Sequence, residues 1–273
     1  MSLQICYTKL KKKSENIAGS YKKKTMLAGR GEADIEFFYR NRNIDFPLLR
    51  SQAIRILEIN FPEAEIEESN NAVTTSFQYK NNEISIDIVV GYLVNSPKQM
   101  AQVSSPKQYT ITTGRIHVEY VNVQKVKYPL YLSAVRLIKD WRDACGLHLK
   151  SLHIELIAAS LFAEWDIEPM EYPEILRSFF RHLTSVCDGA TAILPVNWNL
   201  FDEDDITAEY TKNNVMIVDP ANPSDNLADS ISVEDIAEIK SSATRAIHLI
   251  DHNQWAELFH EEIINQWQDQ LST

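Results

Sequence analysis

Cysteine is scarce in this chain. Only three of its 273 residues are cysteine, Cys6, Cys145 and Cys187, and they are far apart. An odd number of widely spaced cysteines argues against a disulfide framework and for a reducing compartment, so we expect a cytoplasmic protein. His148 and His153 follow Cys145, but this spacing fits a partly buried cysteine beside surface histidines better than a metal clip. The sequence therefore predicts no zinc site.

Long apolar runs are also missing. No run approaches the length that crosses a bilayer, and no apolar segment follows the lysine-rich residues 9–13. Neither a membrane span nor a signal peptide is therefore expected. The hydrophobic fraction of 44% is ordinary for a globular protein. The length suits one large domain or two closely packed lobes.

The stretch from Gly19 to Phe38, GSYKKKTMLAGRGEADIEFF, combines a Gly-Ser pair with two closely spaced carboxylates. The apolar residues that follow Asp34 favour a β-strand, which places Glu32 and Asp34 at or near a strand end. Side chains at positions i and i+2 of a strand point to the same face, so these carboxylates repel each other unless a cation lies between them. Because hard cations prefer oxygen ligands, a pair of Mg²⁺ (or Mn²⁺) ions is the natural occupant.

A third carboxylate lies in residues 83–91, EISIDIVVG. Isoleucines alternate there with Ser85 and Asp87, a pattern typical of a strand with one apolar face and Asp87 on the other. Residues 72–92 together predict a β-hairpin that turns at two asparagines. We therefore expect Asp87 to lie on a strand beside the first two carboxylates.

Charge is distributed unevenly along the chain. The first 30 residues carry eight basic side chains against one acidic, a net of +7, and the total of −11 leaves −18 for the rest. A nucleic-acid-binding module is normally basic over a whole face. Here the positive charge clusters beside Gly19, Ser20 and the carboxylates, which favours attraction of a small polyanion such as a nucleoside triphosphate. The lysines of residues 9–13 are better explained as a solvated surface.

The remaining pattern predicts mainly helices. Apolar residues recur at helical spacing in five segments, residues 46–60, 129–145, 150–165, 172–187 and 233–269. Residues 93–108 are interpreted as a loop, and residues 109–125 as short strand pieces or irregular structure. Residues 21–28 fit a short helix after the Gly-Ser pair, and its amides with the Ser20 hydroxyl would suit a phosphate.

Four motifs in order resemble those of one enzyme superfamily. They are Gly19-Ser20 followed by Gly-x-Glu-x-Asp, the lone Asp87 in a second strand, residues 136–141 (RLIKDW) and residues 218–227 (VDPANPSDNL). This order is similar to that of the nucleotidyltransferases of the DNA polymerase beta superfamily. It is most similar to the oligoadenylate synthetase and cyclic GMP-AMP synthase-like (CD-NTase) branch, whose bacterial members make cyclic dinucleotides. The resemblance covers roughly residues 17–260, and four ordered motifs are far more specific than one.

The resemblance implies a role for each motif residue. Glu32, Asp34 and Asp87 would be the catalytic residues and would hold two divalent metal ions. The implied nucleotide-binding residues are Gly19, Ser20, Lys139 and Ser151.

The chain departs from the family pattern at three points. Glu32 stands where aspartate is commonest, but some members use glutamate there, so we expect an active site. Gly31 stands where serine is frequent. The segment before Gly19 is shorter than the family's helical lead-in, which leaves open whether the natural protein starts at Met1.

Other interpretations of single residues remain open. A lysine in an apolar stripe is usually a snorkelling surface residue, but the resemblance favours Lys139 facing a triphosphate. Ser151 fits a helix N-cap equally well. Glu155 is expected to pair with an arginine or lysine across the helices. Asp219 is expected to brace its loop, and His182 to lie at the surface.

The implied fold is α+β with two lobes, a mixed β-sheet catalytic lobe of residues 1–125 and a helical oligoadenylate synthetase-like lobe of residues 126–273. The implied function is a metal-dependent nucleotidyltransferase that joins NTP-derived nucleotides into an oligonucleotide or cyclic-nucleotide second messenger, with a role in antiviral defence. NTPs are the expected partners. The sequence leaves open whether a nucleic acid or a protein activates the enzyme, and which oligomer it forms.

Two alternatives compete with this function. Nucleotide addition to an RNA end is one, although the acidic character beyond residue 30 disfavours it. A catalytically inactive relative that binds nucleotide or a partner protein is the other. Such relatives typically lose metal-binding carboxylates, whereas this chain keeps all three.

Overall fold

The computed structural model covers the full chain. It describes residues 12–27, 30–39, 45–68, 72–79, 82–93, 100–105, 108–111, 114–164, 171–261 and 263–265. The chain divides into two compact units, here called unit 1 (Met1–Glu119) and unit 2 (Tyr120–Thr273). The sequence placed the boundary between residues 125 and 126. That position and the observed boundary between residues 119 and 120 both fall within one helix, Gly114–Lys127.

Unit 1 contains a mixed β-sheet. Its described strands are β1 (Lys12–Ala18), β2 (Arg30–Tyr39), β3 (Glu65–Glu68), β4 (Ala72–Tyr79), β5 (Asn82–Leu93), β6 (Met100–Ser105) and β7 (Gln108–Ile111). The strand order is β1-β2-β5-β4-β3, and β6 pairs with β5 and with β7. Strands β2 and β5 run parallel, whereas the other pairings are antiparallel. The predicted hairpin of residues 72–92 is confirmed as β4 and β5.

Two helices accompany this sheet, α1 (Gly19–Lys23) and α2 (Phe46–Asn60). Helix α2 begins where the sequence predicts, because Asp45 accepts a hydrogen bond from Leu48 N at 3.0 Å and Pro47 occupies the first turn. Helix α1 starts two residues before the predicted segment and is short.

Unit 2 is mainly helical. Its described helices are α3 (Gly114–Lys127, shared with unit 1), α4 (Tyr131–Ala144), α5 (Ser151–Glu164), α6 (Tyr172–Cys187) and α7 (Val233–Asp251), and a small hairpin joins β8 (Val218–Asp219) to β9 (Asn222–Asn226). Residues 153–162 of α5 are all buried, so α5 is the central helix of the core. The ring of Phe180 packs against those of Trp141 and Phe179 in that core.

A mixed sheet in one unit and packed helices in the other confirm the predicted α+β class. Several local predictions were wrong. Residues 109–111 do belong to a strand, β7, but residues 114–125 belong to α3, residues 100–105 form β6, and the helix predicted over 233–269 ends at Asp251. The surface positions predicted for His182 and His153 are also wrong, because these side chains are 8% and 1% exposed. In the described part of the chain, no helix has the length and apolar character to cross a membrane.

Candidate active site

Two of the predicted carboxylates lie directly opposite each other in the sheet of unit 1. Asp34 on β2 is in register with Asp87 on β5. Neighbouring strands lie about 4.8 Å apart and registered residues share a face, so both carboxylates project from the same side. Glu32 precedes Asp34 by two positions on β2 and is in register with Ser85 on β5. The side chain of Glu32 lies outside the described residues.

Gly19 borders the carboxylate of Asp34. The preceding residue, Ala18, is the β1 partner of Asp34, and the chain then turns into α1 with Gly19 at a φ of +67°. A β-carbon on Gly19 would lie 1.6 Å from Asp34 Oδ2 and 2.8 Å from its Cγ. Only glycine can therefore occupy this position while Asp34 keeps its conformation. Ser20, the next residue, is half-buried and has hydrogen-bonding or electrostatic contacts of its own.

Asp87 receives a hydrogen bond from the neighbouring strand. Thr74 on β4 is its registered partner, and Thr74 Oγ1 donates to Asp87 Oδ1 at 2.7 Å. Asp34, Asp87 and Thr74 thus form one row across three adjacent strands. Thr74 was not among the residues predicted for the site, although its place in the predicted hairpin opposite Asp87 could have indicated it.

Glu36 is a further carboxylate on the same face of β2 as Asp34. It is 5% exposed, and its Oε1 accepts a hydrogen bond from Gly114 N, the first residue of α3, at 2.9 Å. A carboxylate at a helix N-terminus satisfies a free N–H and is favoured by the helix dipole. Glu36 therefore ties the carboxylate strand to the start of α3. Its signal in the sequence was the alternation of acidic residues at 32, 34 and 36.

The donor set of this face fits a divalent cation. Its oxygens come from carboxylates, the ligands that Mg²⁺ and Mn²⁺ prefer, and two of them are held in register by the sheet. Among the side chains that the structure describes, no group of three or more His, Cys, Asp or Glu is placed to hold a metal ion. The side chain of Glu32 is not among them, so the predicted set of three carboxylates is represented by Asp34 and Asp87.

Lys139 lies in α4 of unit 2 and is paired with a glutamate. Its Nζ is 2.7 Å from Glu155 Oε1 on α5, and the two side chains are 2% and 0% exposed. The predicted partner for Glu155 is therefore confirmed, and the snorkelling surface position considered for Lys139 is wrong. Tyr131 Oη also donates to the backbone oxygen of Glu155 at 2.9 Å. The role of Lys139 towards phosphate stays a prediction.

Ser151 is the first residue of α5. Arg142 Nη1 donates to its hydroxyl at 3.2 Å and to the backbone oxygen of Leu149 at 3.0 Å. Arg142 thereby fastens the end of α4 to the start of α5. The nucleotide-binding role of Ser151 also stays a prediction.

Side chains of the Asp-Pro motif, residues 219–226, form hydrogen bonds with backbone groups of unit 2. Asp219 is 2% exposed and accepts from Ala221 N at 2.7 Å, which confirms that it braces its loop. Asn226 makes four hydrogen bonds. Its Oδ1 accepts from Ile217 N and Ala228 N, and its Nδ2 donates to Val215 O and Glu209 O. In the described part of unit 2, this motif thus holds backbone segments together.

Comparison with known proteins finds sequence similarity to enzymes that are named for building cyclic nucleotides. No family model matches. The chain is 26% identical to the cyclic AMP-AMP-AMP synthase of Escherichia coli (strain MS 115-1) over 203 residues, 70% of this chain and 60% of that protein. It is 25% identical to the CBASS oligonucleotide cyclase CdnC of E. coli (strain KTE188) over 265 residues, 89% of this chain and 80% of CdnC. The chain is a relative of the CD-NTases.

The fold agrees with that relationship. The structure of E. coli MS115-1 CdnC in complex with HORMA-deltaN superimposes with a TM-score of 0.73 at 22% identity, covering 99% of this chain and 85% of CdnC. The resemblance stated from the motifs is thereby confirmed. The relatives are named as a synthase and a cyclase. Both names describe nucleotidyltransferases, which is the enzyme class predicted from the motifs.

Proposed function

We propose that this chain is a metal-dependent nucleotidyltransferase that joins NTP-derived nucleotides into a cyclic oligonucleotide messenger. The observation that carries the proposal is the pairing of Asp34 with Asp87 on one face of two parallel strands, with Gly19 against Asp34. The sheet holds two like charges at close range, and such an arrangement is favourable when a cation balances them. The similarity to CD-NTase synthases supports the same function.

Each predicted site residue of unit 1 has a role in this proposal. Glu32, Asp34 and Asp87 would hold the divalent ions, which supply activation of the attacking hydroxyl and stabilisation of charge on the phosphates. The backbone at Gly19 and the hydroxyl of Ser20 would contact the phosphates of the donor. The absence of a β-carbon at Gly19 lets the backbone approach the Asp34 carboxylate closely.

Two predicted site residues of unit 2 are proposed to contact the nucleotide. Lys139 would neutralise phosphate charge, and Ser151 would contact the nucleotide near the start of α5. An ammonium has three N–H donors, so a lysine bound to Glu155 can donate to a second acceptor as well. Glu155 would then hold the ammonium in place.

Product and partners follow from the relatives. Because one relative is named a cyclic AMP-AMP-AMP synthase, ATP is the first substrate to test. The CdnC relative forms a complex with HORMA-deltaN. We therefore propose that a protein partner also binds this chain, and that the messenger serves antiviral defence.

A turnover assay tests the function. The purified chain is incubated with α-labelled NTPs, singly and mixed, with Mg²⁺ or Mn²⁺ and with or without a HORMA protein, and the products are separated after phosphatase treatment. We expect a phosphatase-resistant product from the parent and none from Asp34→Asn or Asp87→Asn. Asp229→Asn, a change at an exposed carboxylate of unit 2, serves as the matched control and should retain activity.

The opposite result would point to an inactive relative. If the parent binds NTP and metal but yields no product in any mixture, the chain is a nucleotide-binding protein and the transferase proposal is wrong. If the two active-site variants still make product, the carboxylate assignment is wrong.

A further inference from the structure

Thr74 is a feature of the sheet that the proposed function does not use. It lies on β4, directly opposite Asp87 on β5, and its hydroxyl donates to Asp87 Oδ1 at 2.7 Å. This is the length of a strong hydrogen bond between a hydroxyl and a carboxylate. The bond joins positions 13 residues apart across the hairpin, so the pairing of the two strands fixes its geometry.

We infer that Thr74 is a positioning residue whose hydroxyl orients the carboxylate of Asp87 as a metal ligand. This inference rests on the proposed function. One hydrogen bond occupies one of the roughly four lone-pair positions of a carboxylate. Asp87 Oδ2 and the second lone pair of Oδ1 therefore remain available for a cation. Because the hydroxyl carries no charge, Thr74 fixes the direction of the carboxylate without neutralising it.

The choice of threonine suits this task. A β-branched side chain has few χ1 rotamers, so the hydroxyl stays directed at the next strand. Threonine also fits a pleated strand well. Partners that hydrogen-bond a metal ligand typically change metal affinity by about 10–100-fold when they are removed.

The neighbouring residue provides a matched control. Thr75 lies on the opposite face of β4, is 1% exposed, and its hydroxyl has no hydrogen-bond partner among the described residues. Thr74→Val and Thr75→Val are thus the same substitution at adjacent positions. Each keeps the volume and the strand preference, and they differ in whether a hydrogen bond to Asp87 is lost.

The primary test measures metal binding without turnover. Binding of Mn²⁺ to the full chain is followed by the EPR signal of free Mn²⁺ in the presence of an ATP analogue whose bond between the α- and β-phosphorus atoms cannot be cleaved, and the analogue without protein is the reference. We expect Thr74→Val to weaken Mn²⁺ binding by about 10–100-fold. Thr74→Ser, which keeps the hydroxyl, should bind within about threefold of the parent, and Thr75→Val should match the parent. In the turnover assay, Thr74→Val should need a correspondingly higher Mg²⁺ concentration for half-maximal rate.

A double variant shows whether Thr74 acts through Asp87. If it does, adding Thr74→Val to Asp87→Ala weakens Mn²⁺ binding no further, because the group that Thr74 orients is already gone. Independent, additive losses would overturn the inference. Thermal unfolding of each variant checks folding, and Thr74→Ala replaces Thr74→Val if the latter does not fold.

The outcomes separate this inference from the proposed function. If the parent binds Mn²⁺ and Thr74→Val binds it equally well, the inference is wrong and the proposed function stands. If Thr75→Val weakens binding as much as Thr74→Val, the effect belongs to strand packing and the inference is wrong. If the parent binds no Mn²⁺ beyond what the ATP analogue binds by itself, both the inference and the metal-dependent function are wrong.

Discussion

Lys139 and Glu155 form a buried ion pair between α4 and α5, with Nζ 2.7 Å from Oε1. Both side chains are almost fully removed from water. Removing one partner leaves the other charge buried with its main counter-charge gone. We therefore expect Lys139→Met to lower the free energy of unfolding by about 3–5 kcal/mol. Urea unfolding of the variant and the parent measures this difference.

The double variant Lys139→Met/Glu155→Leu separates stability from function. Replacing a buried ion pair with apolar residues is often neutral or stabilising, so the double variant should recover most of the lost stability. If Lys139 also contacts phosphate, the double variant will be stable yet show a raised KM for NTP. Normal turnover in a stable double variant would contradict the phosphate role, and a double variant as unstable as the single one would contradict the ion-pair account.

Gly19→Ala should abolish activity through Asp34. The new β-carbon would lie 1.6 Å from Asp34 Oδ2, so the carboxylate or the start of α1 must move. A displacement of about 1 Å in a catalytic group can reduce the rate by about 100-fold, and we expect a loss of at least this size in the turnover assay.

Gly146→Ala is the matched control for Gly19→Ala. Gly146 has nearly the same backbone angle, a φ of +65°, but nothing lies within 4 Å of its β-carbon position. The substitution should cost only the strain of a left-handed conformation, about 1–2 kcal/mol, and leave turnover intact. Equal loss of activity in both variants would show that backbone strain, and not the contact with Asp34, explains the effect.

The alternation of residues predicted the strands that carry the carboxylates. In β5, isoleucines alternate with Ser85 and Asp87, which predicted a strand. In β2, the two-residue spacing of Glu32 and Asp34 predicted that they share a strand face. The sequence could not show that β2 and β5 are parallel neighbours in register, because this pairing joins segments about 50 residues apart and depends on the whole sheet. The cross-strand bond of Thr74 and the helix contact of Glu36 depend on that same packing.

Helix α3 was missed for a local reason. Its sequence, GRIHVEYVNVQKVK, is rich in β-branched valine and isoleucine, which favour strands over helices in isolation. In the structure Ile116, Val118, Tyr120 and Val121 are buried, so tertiary packing overrides the local preference. A snorkelling surface position for Lys139 stayed open at the sequence level, because an apolar stripe does not reveal whether an interrupting charge has a buried partner.

Asn226→Ala should destabilise unit 2 strongly. The side chain makes four hydrogen bonds, and its truncation leaves two backbone N–H groups and two carbonyls without those bonds. Leaving buried groups unsatisfied costs about 1–3 kcal/mol for each. We expect a loss of at least about 3 kcal/mol in urea unfolding.

Asn222→Ala is the control in the same hairpin. Asn222 is half-buried and its Oδ1 accepts only from Ser224, two residues away, in an exposed setting. We expect a loss below about 1 kcal/mol, since water can replace these bonds. If both variants lose the same stability, the four-bond network of Asn226 is not what holds the hairpin.

His153 should make unit 2 sensitive to acid. The side chain is 1% exposed and therefore has almost no access to water. Burial, assisted by the charge of Lys150, lowers the pKa of His153 from 6.5 to about 4. Between these values the unfolded chain binds a proton that the folded chain does not, so stability is present above pH 6.5 and falls as the pH falls towards 4.

His153→Leu isolates this contribution. Between pH 7 and pH 5 the buried histidine should cost the parent about 2 kcal/mol of unfolding free energy, and the variant should lose less by that amount. Urea unfolding at both pH values measures the difference, which removes the contribution of groups that titrate equally in both proteins. His252→Leu, at an exposed position, should keep the pH dependence of the parent. A variant at position 153 with the same pH dependence as the parent would show that His153 is not held neutral by its surroundings.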